Sequence, residues 1–103
     1  MLETDREKIV EKFENDIIVT GIKILDKKGL KAVASVEVGP FLFNQFQVRE
    51  HKGGLIVEVP IIHWVERSQH FWEKAVELHS EKLREAIGSK VLEKYYERMR
   101  MKE

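Results

Sequence analysis

The sequence predicts an α+β fold: an antiparallel meander of about four strands covered by a C-terminal helix, with an extra short helix in front. Three observations carry this expectation. Alternation of apolar and polar residues at period two runs through residues 17–59 and breaks at turn residues. A Gly53-Gly54 pair separates two of the alternating runs. Apolar residues return to helical spacing in the last third of the chain.

Residues 1–16 read as a helical appendage. Thr4 and Glu7 form a capping-box pair, and Leu2, Ile9, Val10 and Phe13 fall on one side at helical spacing. Residues 17–26 then alternate, with Ile18, Ile22 and Ile24 on one face and Thr20 among them. The turn "DKKG" over residues 26–29 leads to a second strand over 31–38. Its Ala32, Ala34, Val36 and Val38 point one way. Gly39-Pro40 breaks that strand. A third strand over 41–49 places Leu42, Phe46 and Val48 on one face and Phe41 and Phe43 on the other. Gly53-Gly54 turns the chain into a fourth strand, where Leu55, Val57 and Val59 oppose Ile56 and Glu58. Pro60 ends it, because proline has no N–H for the ladder.

Residues 61–103 are expected to be helical, with the covering helix running from about residue 66 to 100. Phe71, Trp72, Ala75, Val76, His79, Leu83, Ala86 and Ile87 make its apolar stripe, continued by Val91, Leu92, Tyr95, Tyr96 and Met99. A bend is expected near Gly88. The whole chain, residues 1–103, makes a single domain.

Composition narrows the function. The 103 residues carry 18 lysines and arginines against 18 aspartates and glutamates, so no global charge draws the chain to nucleic acid or membrane. Any such binding must come from a local patch. There is no cysteine, which excludes disulfides, thiolate chemistry and cysteine-held zinc. No apolar run approaches a membrane span, and the polar, acidic "MLETDREK" is unlike a signal peptide, so a cytoplasmic location is expected.

No catalytic set stands out. The sequence has no Gly-x-Ser-x-Gly, no phosphate-cradling glycine loop and no thiol nucleophile, so no enzymatic step, cofactor or small-molecule substrate is expected. His63, Glu66 and His70 are spaced to align on a helix starting near His63, but they read as a polar rim rather than a metal site. Glu73, Glu77, Glu81 and Glu85 repeat every four residues as a solvated acidic stripe.

The cations form two groups. Lys27, Lys28 and Lys31 cluster at the first turn. Lys90, Lys94 and Arg98 repeat every four residues along the last helix, extended by Arg100 and Lys102. These are the candidate contacts to nucleic-acid phosphates. They also complement the helix macrodipole, which needs no ligand. The second sheet face carries Val33, Phe41, Phe43 and Ile56, and Ile61, Ile62 and Trp64 follow strand four. An isologous homodimer is therefore expected, with Phe41, Phe43, Ile61 and Trp64 near its centre. A monomer in which Ile9, Val10 and Phe13 of the first helix cover that face is the competing arrangement.

Residues 19–60 resemble the sheet half of the bacterial SpoVG family, stage V sporulation protein G. The matching residues are Thr20, Ile22, Ala32, Ala34, Ser35, Val36, Phe46, Val48, Gly54, Leu55, Val57, Val59 and Pro60. "KVLEKYYERM" over residues 90–99 is similar to the family's last helix at Val91, Leu92 and Tyr95. The resemblance implies a dimeric α+β domain and a nucleic-acid-binding regulator linked to septation and sporulation, with DNA or RNA as the partner besides itself. Two departures accompany it. The family's basic run after the proline is replaced by "IIHWVERSQHFW", and the N-terminal helix is additional.

Overall fold

The computed structural model describes residues 2–25 and 27–101, with side chains described from Lys8 onward. The order is α1 (Leu2–Glu14), β1 (Ile17–Ile24), β2 (Leu30–Val38), β3 (Phe41–His51), β4 (Gly54–Glu58), β5 (Ile61–Glu66), β6 (Gln69–Lys74) and α2 (Glu81–Met101). Strands β1 to β4 form one antiparallel sheet in sequential order, and β5 and β6 form a separate two-stranded sheet. The fold is α+β, as the alternation requires. The Thr4–Glu7 capping pair, Asp26 and Lys102 lie outside the residues or side chains described.

The tight turns follow from glycine. His51 pairs with Gly54 across a two-residue loop in which Lys52 and Gly53 both have positive φ, 49° and 82°. That is the twist a right-handed hairpin needs. Gly53 is the turn residue, and Gly54 already belongs to β4. Val38 pairs with Phe41 across Gly39-Pro40, with Gly39 at φ 57°. Gly39-Pro40 therefore joins two neighbouring strands of one sheet. A Cβ on Gly39 would lie 2.8 Å from the Phe13 ring, so the turn also sets how closely α1 approaches.

Of three irregularities in register, one of them between Leu30 and Ala32, two overturn the expected faces. The β1–β2 register shifts between Val19 and Gly21, and the β2–β3 register shifts opposite Ala34 to Val36, where Gln45 has φ 71°. Each extra residue reverses the alternation beyond it. Ile17 and Val19 therefore share the inner face with Ile22 and Ile24, whereas Ile18 points out and is exposed. In β3, Phe41 and Phe43 oppose Val38 and Val36 on the inner face, with Phe46 and Val48. Leu42 points outward and is exposed. The expected faces of Ile18, Leu42, Phe41 and Phe43 are thus reversed. Phe13 meets Phe41 edge-on at 6.5 Å, and Phe43 meets Phe46 at 6.2 Å. The first helix thus reaches these aromatics from the inner side. The outer face is mixed, with Ser35 bonded to Asn44 and Arg49 to Gln47 between Val33 and Ile56.

The core joins the inner face to α2. Ala32, Ala34, Val36, Val38, Phe46 and Val48 meet Ile87, Val91 and Tyr95. Full burial of side chains such as Phe46, Ile87 and Val91 contributes roughly 1.5–3 kcal/mol each. The helix runs unbroken through Gly88, which faces Val57 of β4 at a distance where a Cβ would make ordinary van der Waals contact.

The covering helix starts later than expected. Ser80 caps it, its hydroxyl oxygen accepting from the Leu83 N–H at 3.1 Å while its carbonyl accepts from Arg84. Residues 61–74 are a β-hairpin and 75–80 are a connection, so the expected helix over residues 61–80 is replaced. The acidic stripe goes with it, because Glu73 is in β6, Glu77 in the connection, and only Glu81 and Glu85 lie on α2.

Two stability measurements check this account. Ser80→Ala removes the cap and is expected to cost about 1 kcal/mol in chemical denaturation. Gly39→Ala forces a left-handed alanine and displaces Phe13. Its expected cost is about 1–2 kcal/mol, with loss of α1 docking seen as faster proteolysis near residue 14.

Candidate interaction surfaces

The hairpin β5–β6 is the most unusual feature of the surface. Its register pairs Ile61 with Lys74, His63 with Trp72 and Val65 with His70 on one face. On the other face Ile62 pairs with Glu73, Trp64 with Phe71 and Glu66 with Gln69. Every residue from Ile62 to Lys74 is exposed, and Trp72 keeps 66% of its surface open to solvent. A two-stranded ribbon has no layer on either side, and such ribbons are marginal in water. Here both sides carry aromatic rings.

Each face has its own chemistry. On the first, His63 and His70 are joined nitrogen to nitrogen at 2.9 Å, one imidazole N–H donating to the other ring, with planes 5° apart. That combination places the imidazoles side by side. Trp72 lies nearly parallel to both, at 15° to His63 and 20° to His70. Lys74 is on this face, and Arg67 is at the tip. On the second face Trp64 stacks on Phe71 at 5.4 Å, with Ile62 beside them and Glu66 and Glu73 at the ends. One face is cationic and aromatic; the other is apolar with an acidic rim.

His63, Glu66 and His70 do not align as a helical face, because the chain there is extended. Glu66 lies opposite the two histidines, and no group of metal-ligating residues occurs among the described residues. Phe71 and Trp72, expected in the helical stripe, are surface residues. A turn of Asn-Gly type would have revealed the hairpin. Instead Arg67 and Ser68 form it, with φ 51° and 66°.

The predicted cations are partly gathered. Arg98, in the last turns of α2, lines a cleft of about 460 Å³ together with Ile22, Lys23, Ile24 and Met101. Lys27 and Lys28 follow on the adjoining turn and are exposed. No ion pair joins Lys23, Lys27, Lys28 or Arg98 to another of the described residues. Lys31 is paired with Glu50 at 2.8 Å, and Lys94 with Glu97 at 3.6 Å. Lys90 stands two helical turns before Arg98, about 12 Å along the axis. Lys23 is the member of this group that the sequence reading missed. It sits outside both charge runs, and only the fold brings it to Arg98.

The four predicted interface residues fall on two strands, β3 and β5, of different sheets. Phe41 and Phe43 are on the inner face of β3, with Phe41 54% exposed at the margin of α1 and Phe43 half-buried. Ile61 and Trp64 are on opposite faces of the hairpin.

Comparison with protein-family models, with curated proteins and with solved structures gave no match. Among the described residues no helix is long and apolar enough to cross a membrane.

A more favourable turn should steady the hairpin. Left-handed Arg67 and Ser68 each cost roughly 1 kcal/mol. The double variant Arg67→Asn, Ser68→Gly is expected to raise the hairpin's own melting midpoint, read by near-ultraviolet circular dichroism of its tryptophans. The core transition, read at 222 nm, should stay in place.

Proposed function

We propose that this protein is a non-catalytic, homodimeric, nucleic-acid-binding regulator of the cytoplasm, in keeping with its resemblance to the SpoVG family. The observation that carries the reading is the group of cations Lys23, Lys27, Lys28 and Arg98, none of them in an ion pair with another described residue, in a chain with zero net charge. Four cations drawn from β1, its turn and the end of α2 suit phosphate oxygens, and the sheet and helix hold them in place. Lys90 extends the row. Lys31 and Lys94 contribute less, because each already has a carboxylate partner.

The dimer is supported by the hairpin face of Ile62, Trp64 and Phe71. These three leave roughly 300 Å² of apolar surface per copy in the open, the scale of the central patch within a ~800 Å² contribution to a stable interface. The acidic rim of Glu66 and Glu73 fits the polar border such interfaces carry. Trp64 remains at the centre of this proposed interface. Phe41 and Phe43 move out of it, since Phe13 meets Phe41 in the same chain.

The second reading is an interaction module without nucleic-acid binding. The ion pairs of Lys31 and Lys94 favour it, as does the loss of the family's basic run after Pro60.

A salt titration separates the two readings. Affinity for mixed-sequence DNA or RNA is expected to fall linearly with log salt. The double variant Lys27→Ala, Lys28→Ala should lower the slope by about two. Affinity indifferent to salt would favour the interaction module. For the dimer, sedimentation should give a mass near twice 12.2 kDa. Trp64→Glu should shift it to the monomer value, and an intact chain that sediments as a monomer at every concentration would rule the dimer out.

A further inference from the structure

We propose that the cationic face of the hairpin, built on His63, His70 and Trp72, is a stacking site for unpaired bases of single-stranded nucleic acid. The proposal rests on the nucleic-acid-binding reading and specifies the kind of strand.

Three features of the face point to this occupant. The first is flatness. The hydrogen-bonded imidazoles lie in nearly one plane, and the Trp72 indole is within 20° of both. Bases are flat and stack on such rings whatever their identity, whereas an aliphatic side chain gains little from a parallel array. The second is exposure. Trp72 is the most open of the hairpin's Trp and Phe side chains, and no other described element covers it. The third is charge. Lys74 beside the rings and Arg67 at the tip are positive and make no ion pair with another described residue, so a phosphate backbone can run along the ribbon. The opposite face has the reverse sign at Glu66 and Glu73 and repels the same backbone. The two faces thus suit different neighbours: a second copy on the acidic side and a strand on the cationic side. A duplex hides its base faces in its own stack, so this site selects single strands.

The test compares a short oligothymidylate with a duplex of the same length, using the full chain and two variants. The intact protein is expected to prefer the single strand, with quenching of tryptophan emission. Trp72→Ala is expected to weaken oligothymidylate binding roughly ten-fold or more, because each stacked base carries that much affinity. Trp72→Phe keeps a ring and is expected to retain most of the binding, which separates stacking from damage to the hairpin. If Trp72→Ala binds oligothymidylate as well as the intact chain while duplex binding keeps its salt slope, the stacking site is wrong and the nucleic-acid reading stands. If neither probe binds the intact chain, both are wrong. If Trp72→Ala changes the sedimenting mass without changing oligothymidylate affinity, the cationic face is a contact between copies, and the proposal is overturned.

Discussion

The row Ile87, Val91 and Tyr95 of α2 lies across the floor that Ala32, Ala34 and Val36 of β2 present. The two alanines keep that floor low in the middle of the sheet, so a helix can approach closely while the valines and Phe46 close the sides. Everything else is arranged around this contact. It fixes the inner face of the sheet, so β1 and β3 must bring their apolar residues to the same side. It directs α2 from Val57 of β4 at Gly88 toward Ile22 and Ile24 of β1 at Arg98. It also engages the buried face of α2, and no described helix is left to cover the β5–β6 ribbon. The exposed hairpin follows from how the core is built.

The sheet was legible because its signals are local. Alternation located the four strands to within a few residues, and Gly39-Pro40 and Gly53 marked two of their turns. Which face each residue takes was less legible. A bulge near Thr20 and another at Gln45 each insert one residue, and one residue reverses every side chain beyond it. Gln45 carries no glycine signature at its positive φ, so strict alternation assigned Phe41 and Phe43 to the outer face when they belong with Phe46. The consequence is functional, because placement on the outer face is what makes them candidates for the interface.

The hairpin was hidden for a related reason. Its two faces both carry rings, so "IIHWVERSQHFW" shows no clean alternation, and its turn uses Arg67-Ser68 in place of Asn-Gly. Phe71, Trp72, Ala75, Val76 and Leu83 happen to fit a helical spacing. The cap at Ser80, followed by an unbroken apolar row from Leu83, was the sign of the true helix start. The cationic end was half legible. Arg98 and the Lys27-Lys28 pair are visible as charge runs, but their meeting with Lys23 depends on the direction of α2, which no local pattern encodes.

In this account the ribbon meets a second copy and unpaired bases, while the helix-on-sheet body holds it out and carries the cations proposed for phosphate. Amide hydrogen exchange, followed residue by residue at increasing protein concentration and then with oligothymidylate added, tests this division most directly. The account predicts that amides of residues 61–74 exchange quickly in dilute protein and gain protection with concentration and with added strand. Those of Ala34, Val36 and Val91 should stay slow and unchanged throughout. Hairpin amides as slow as the core in dilute protein, indifferent to both additions, would contradict it.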